Sequence, residues 1–156
     1  MNPDLVMEAM TALDNVQAKH PNLGWEGFYP IHTGKGQQRE KTETNTPRLP
    51  EQVAMSIDFL RQCVATSPGR GLNAYALKHM VEDWVDLTIT TDISAGYIPM
   101  GAVIIAAIHL GFPIKIEKRE TYSGFHPQLP MNDSVRIGVD RHKAAELVAV
   151  KRTWYV

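Results

Sequence analysis

Three titratable side chains at helical spacing are the first candidates for chemistry in this sequence. His79, Glu82 and Asp83 occupy positions i, i+3 and i+4, which places them on one side of an α-helix. In that arrangement they can share a proton or begin a metal site. No second set of ligands follows at a recognisable spacing, and no two of the six histidines stand four residues apart. The simpler interpretation is the polar face of a surface helix, so we assign no catalytic residue, no metal and no cofactor.

Two other segments add candidate ligand-binding residues. Arg70 lies between two glycines just before a predicted helix, where backbone N–H groups and the guanidinium can receive an anion. A tight turn between two helices explains the same glycines. Trp25 and Tyr29 belong to an aromatic stretch that can border a pocket with His79 and Glu82. The candidate small-molecule site thus comprises Trp25, Tyr29, Arg70, His79, Glu82 and Asp83.

Charge is divided unevenly along the chain. Lys+Arg number 16 and Asp+Glu 17, for a net charge of −1, which disfavours nucleic acid as the general partner. Residues 73–112 nevertheless carry an acidic excess, and residues 113–156 a basic one. A basic sheet face with one stacking ring can hold a nucleic-acid backbone; the alternative is a solvated face with cross-strand ion pairs. The candidates for this role are Lys115, Arg136, Lys151, Arg152 and Tyr155.

Other residues that often carry chemistry are better explained structurally. The single cysteine, Cys63, falls on the apolar side of a predicted helix and is expected to pack as a small hydrophobic residue. His109 ends an apolar helix and is expected to be a hydrogen-bonded core histidine. The sequence contains no P-loop, no Gly-x-Ser-x-Gly elbow and no His-Glu-x-x-His motif. Catalysis therefore has no support from motifs.

Apolar periodicity predicts four helices between residues 3 and 111. Asn2 can cap a helix over about 3–19, Pro50 opens a second, and Asn73 can cap a third. The fourth covers 100–110 and is apolar nearly all round, which predicts the central helix of the core. Gly111 is placed to end it.

After residue 113 the period changes from 3.6 to 2, which predicts three strands near 114–117, 135–139 and 148–156. A hairpin connection is expected at 140–143 and a longer loop at 122–133, with a short helix over 141–149 as the alternative. Residues 87–93 are expected to be extended. The prediction is one α+β domain over 1–156, with helices packed on a small, mostly antiparallel sheet. Residues 21–49 form a long loop whose aromatic half packs and whose polar half, 34–48, is mobile.

A quarter of the chain resembles a known sequence signature. The matching elements are a Tyr-x-Leu-Lys-His-x-x-Glu run within 74–82, a Gly-Tyr-Ile at 96–98, an Ala-Ala within 101–107 and a Leu-Gly-Phe at 110–112. In these residues the chain resembles short accessory proteins carried by phages, plasmids and other mobile elements. The resemblance implies accessory cargo, and it implies no particular enzymatic activity.

These observations lead to a main hypothesis and two alternatives. The first is a non-enzymatic accessory protein that binds a macromolecule, expected to be a protein. The alternatives are a small-molecule binder or small enzyme with a pocket near His79 and Glu82, and a nucleic-acid binder using the basic sheet. A homodimer face is also compatible with the pattern. The N-terminus has no signal-peptide pattern and the longest apolar stretch, 102–110, is too short to span a bilayer, so we expect a cytoplasmic protein without a membrane partner.

Overall fold

The computed structural model describes residues 2–28, 47–86, 96–117 and 134–153. The expectations for 87–93 and 122–133, and most of that for 34–48, lie outside these ranges. The described helices are α1 (Pro3–Lys19), α2 (Leu49–Arg61), α3 (Ala74–Asp86), α4 (Met100–His109) and α5 (Arg141–Thr153). The described strands are β1 (Leu23–Gly24), β2 (Gly27–Phe28), β3 (Leu72–Asn73), β4 (Ile114–Glu117) and β5 (Ser134–Ile137), and a 3-10 turn covers Pro68–Arg70. The α+β class and the four helices between residues 3 and 111 are confirmed.

Local signals place the helix ends. The Asn2 side chain accepts a hydrogen bond from the Asp4 backbone N–H at 2.9 Å, and the Asn73 side chain accepts one from the Ala76 N–H at 2.6 Å. Each cap satisfies a backbone donor that the helix itself leaves without a partner. Gly111 follows α4 with a φ of 81°, a left-handed conformation that glycine adopts without steric cost. All three predicted end signals are confirmed.

The apolar helix α4 is the centre of the core, as its composition predicted. Every residue from Gly101 to Ala107 is buried, and the helix contacts α1, α2 and α3 as well as strand β2. A helix that is apolar all round needs such neighbours on most sides to remove its surface from water. Within the described ranges, no helix is both long and apolar enough to cross a membrane.

Two small antiparallel sheets complete the fold. β1 and β2 form a hairpin, and β3, β5 and β4 form a three-stranded sheet in that order. In the larger sheet, Val135 and Ile137 of β5 are buried, whereas Arg136 between them pairs in register with Lys115. Directly paired residues lie on the same face of a sheet, so one face is apolar and the other polar.

The third predicted strand is wrong, because residues 148–153 belong to helix α5. The buried residues of this helix are Ala144, Val148 and Lys151, a stripe at i, i+4 and i+7 that includes a lysine. Counting only apolar residues therefore missed the helical period. The hairpin expected at 140–143 is also wrong: Asp140 accepts a hydrogen bond from the Lys143 N–H at 2.9 Å and caps α5. The alternative of a helix from residue 141 is confirmed and extends to Thr153.

Candidate binding surface

One face of helix α3 carries a connected set of aromatic and charged side chains. Lys78 Nζ lies 2.7 Å from Glu82 Oε1, and His79 Nδ1 lies 3.4 Å from the same oxygen. The ring of Tyr75 meets that of His79 edge to face, with centroids 4.5 Å apart. The four residues stand at i, i+3, i+4 and i+7, so the helix itself brings them to one side.

A second group reaches this face from outside the helix. The Lys78 ammonium lies 4.6 Å from the centroid of the Tyr97 ring, and Tyr97 contacts Trp25 with centroids 6.1 Å apart. Trp25 occupies the turn between β1 and β2, and its carbonyl oxygen accepts a hydrogen bond from the Gly101 N–H at 2.9 Å. The Gln52 amide donates to the Tyr97 carbonyl oxygen at 3.1 Å. We call the set Trp25, Tyr75, Lys78, His79, Glu82 and Tyr97 the aromatic surface.

The aromatic surface combines exposed rings with a nearly enclosed ion pair. Tyr75 is 59% exposed and Tyr97 is 42% exposed, whereas only 9% of the Lys78 side chain is exposed. Lys78 is therefore held between Glu82 and the Tyr97 ring, and that ring also packs against Trp25. Rings that already pack against neighbouring side chains lose less side-chain entropy when they contact a partner.

The structure brings together only part of the predicted small-molecule site. Trp25, His79 and Glu82 belong to the aromatic surface. Asp83 does not: its carboxylate lies 3.1 Å from Arg152 of α5. Arg70 lies in the 3-10 turn before β3, and the described contacts do not join it to the aromatic surface. Tyr29, the sixth predicted residue, is outside the described ranges.

The start of α3, where the sequence suggested an anion site, is organised differently from that expectation. Asn73 fills the cap position with its own side chain, and Leu72 and Asn73 form strand β3 between Arg70 and the helix. Across the part of the chain that the structure describes, no three His, Cys, Asp or Glu side chains gather in a way that could hold a metal ion.

Of the five residues predicted to bind nucleic acid, two lie together on the polar face of the sheet. Lys115 and Arg136 are register partners on the polar face, as that hypothesis requires. Lys151 and Arg152 are on α5 instead, because the third strand is absent there. Lys151 is buried with its ammonium 3.5 Å from the centroid of the Trp84 ring, where it cannot contact a phosphate. Tyr155 lies outside the described ranges.

Burial of Lys151 predicts a distinctive pH dependence. Desolvation lowers the pKa of Lys151, and the Asp58 carboxylate opposes this change. Between the lowered pKa and the unfolded value of about 10.4, the unfolded chain binds a proton that the folded chain has released. The contribution of Lys151 to the free energy of unfolding should therefore rise with pH across that window.

Urea denaturation of the wild type and of Lys151→Met, at several pH values from neutral to about 10, measures this effect. The stability of the wild type relative to the variant should increase with pH, because methionine keeps the apolar stem without the titrating group. A difference that stays constant over the range contradicts the prediction.

Cys63 has the structural role that the sequence predicted, whereas His109 is hydrogen-bonded as predicted but only partly buried, with 24% of its side chain exposed. Burial raises the pKa of the Cys63 thiol to about 12, so the nucleophilic thiolate is scarce at neutral pH. His109 Nε2 lies 2.9 Å from Glu8 Oε1, and Arg61 donates to the same oxygen. These hydrogen bonds lower the pKa of Glu8, with the His109 bond as the larger cause. The three side chains connect α1, α2 and α4.

Sequence reasoning missed Tyr75, Lys78 and Tyr97 as members of the surface. The first two could have been found, because they share the helical face of His79 and Glu82. Tyr97 could not, because its position depends on the path of the chain between α3 and α4.

Comparison of the chain with protein-family profiles, with curated proteins and with solved structures finds no match in any of the three.

Proposed function

We propose that this protein acts by binding another protein through the aromatic surface, as a non-enzymatic accessory protein of a mobile element. The observation that carries the binding role is the pair of exposed rings, Tyr75 and Tyr97, which contact His79 and Lys78 next to the Glu82 carboxylate. Tyrosine and tryptophan are enriched among the residues that dominate protein–protein binding energies. The mobile-element role rests on the resemblance in residues 74–112.

A partner protein suits this surface better than a small ligand. Tyr75 contacts His79, and Tyr97 contacts both Lys78 and Trp25, so the rings are distributed from α3 to the hairpin turn. A set of exposed rings offers contact area to an extended partner surface, whereas a small molecule gains most from a concave site. The nearly enclosed Lys78–Glu82 ion pair adds a charge pattern that selects among partners.

Site-specific photo-crosslinking in the native host tests the proposal. A photoreactive amino acid at position 75 or 97 should capture the same protein, and that protein should copurify in stoichiometric amount with the unmodified chain. The control places the probe at Val150, which is 43% exposed on α5 and outside the aromatic surface. Tyr97→Ala should weaken the copurified complex by about tenfold or more. Capture from position 150 alone, or no stoichiometric partner, contradicts the proposal.

The same experiment separates the alternatives. A crosslink to a second copy of the chain from positions 75 and 97 identifies a homodimer face. Small-molecule binding predicts instead a ligand that raises the melting temperature of the wild type but not of Tyr97→Ala. At 100 times its dissociation constant, such a ligand stabilises the folded protein by about 2.7 kcal/mol.

A further inference from the structure

Three arginines surround the turn that precedes β3. Arg136 Nε donates to the Pro68 carbonyl oxygen at 3.2 Å, and Arg136 Nη2 donates to the Gly71 carbonyl oxygen at 3.1 Å. Arg141 Nε donates to the same Gly71 oxygen at 2.7 Å. Arg70 is an exposed residue of the turn itself. We call Arg70, Arg136 and Arg141 the arginine cluster.

The backbone fixes the position of this cluster. Gly71 is buried against β5, and a Cβ atom there would lie 1.9 Å from the Ile137 carbonyl oxygen. Only glycine permits this approach, which continues into the pairing of Leu72 with Ile137. The turn and β5 are therefore held together, and the Gly71 carbonyl is presented to both Arg136 and Arg141.

The positive charge of the cluster is not balanced by the described residues. No described carboxylate lies within ion-pairing distance of the three guanidinium groups. Two described carboxylates on neighbouring elements have other contacts. Asp140 accepts from the Lys143 N–H, and Glu117 lies 3.7 Å from Lys115. Two guanidinium groups that share one carbonyl oxygen repel each other, and a bound anion would remove that repulsion.

Helix α5 adds to the positive potential. Its first turn contains Arg141, His142 and Lys143 and no acidic residue. The N-terminus of a helix already carries a partial positive charge, and the capping carboxylate of Asp140 is the one acidic group among the described residues at this end of α5, against three basic side chains in the first turn. Lys115 lies beside Arg136 on the polar sheet face and extends the basic region by one position.

We propose that the arginine cluster is a phosphate-binding site. Arg141 uses only Nε for its hydrogen bond to the turn, so its two terminal nitrogens remain for phosphate oxygens. Guanidinium groups bind phosphate through paired N–H donors. Lys115 then contacts a second phosphate. Consecutive phosphates occur both in a nucleic-acid strand and in a nucleoside polyphosphate. The site recognises the phosphate groups, which both ligands contain.

Fluorescence anisotropy with a labelled single-stranded oligonucleotide, at about 50 mM salt, tests the proposal. Arg141→Gln and Arg136→Gln should each weaken binding about tenfold and lower the dependence of log Kd on log salt by about one unit. Arg152→Gln is the matched control, because it removes the same charge from the other end of α5, where Arg152 pairs with Asp83. This control should change binding less than twofold.

Competition distinguishes the two sources of phosphate. Oligonucleotide binding that ATP and inorganic phosphate displace only weakly identifies a nucleic-acid strand as the ligand. Thermal stabilisation by ATP without oligonucleotide binding, lost in Arg141→Gln, identifies a nucleotide. The proposal is overturned if neither ligand binds, or if Arg152→Gln weakens binding as much as Arg141→Gln.

Two further variants separate this site from folding and from the aromatic surface. Because Arg136 also holds the turn, each variant is first compared with the wild type by thermal unfolding. Arg141→Lys keeps the charge but not the paired donors, and it should bind more weakly than the wild type and more tightly than Arg141→Gln. Tyr97→Ala should bind phosphate ligands as the wild type does; a loss in this variant contradicts a separate site.

Discussion

Gly101→Ala is expected to reduce the free energy of unfolding by about 2–4 kcal/mol. A Cβ atom at this position would lie 1.8 Å from the Gly24 carbonyl oxygen and 2.6 Å from the Trp25 carbonyl oxygen. Both atoms belong to the backbone of the hairpin turn, so no rotation of a side chain can relieve the clash. The hairpin must move away from α4, and the hydrogen bond from Gly101 N–H to the Trp25 oxygen is then lost.

Urea denaturation of Gly101→Ala measures the loss, and Gly69→Ala is the matched control. A Cβ atom at Gly69 meets nothing within 4 Å, so the control should change stability by less than about 0.5 kcal/mol. The displaced hairpin should also carry Trp25 away from Tyr97, which weakens crosslinking from position 97. Equal stability of Gly101→Ala and Gly69→Ala would show that the hairpin does not pack on α4 as described.

Trp84→Ala should have a comparable effect, with an expected loss of about 3 kcal/mol. The Trp84 ring lies between two other helices. It meets the Phe59 ring of α2 edge to face at 5.6 Å, and it lies beneath the Lys151 ammonium of α5. Alanine leaves a cavity beside Phe59 and leaves a buried ammonium without its aromatic partner. Both changes destabilise the packing of α3 on its neighbours.

Trp84→Phe is the control, because it retains an aromatic face at the same position and should cost less than alanine. A double-mutant cycle with Lys151→Met isolates the contact between the ring and the ammonium. We expect a coupling of about 0.5–2 kcal/mol between the two positions. Additive effects of Trp84→Ala and Lys151→Met would contradict the stacked arrangement.

The helices between residues 3 and 111 could be predicted because their signals are local. The side chain of Asn2 caps a residue two positions away, and that of Asn73 one three positions away. Helix α4 could be recognised as central because its composition leaves no polar face. Helix caps and helix composition depend on residues within one or two turns of each other, so they can be read directly from the sequence.

Helix α5 could not be assigned by the same reasoning. Its buried stripe includes Lys151, whose burial depends on the ring of Trp84 and so on the packing of α3 against α5. Val148 and Val150 alternate with Ala149 and Lys151, a period of two that favoured a strand, although Val150 is exposed on the helix. From the sequence, Asp140 was assigned to a hairpin connection, whereas in the structure it caps the helix.

The sequence by itself determined the α+β class, the four helices up to residue 111 and the basic excess after residue 113. Only the tertiary structure decided where that excess lies. It separates Lys151 and Arg152 from Lys115 and Arg136, and it brings Arg141 to a carbonyl 70 residues away. It also joins Trp25 and Tyr97 to the polar face of α3. Periodicity and capping are interactions between near neighbours in the chain, whereas each proposed binding surface is completed by contacts that form only when distant elements pack together.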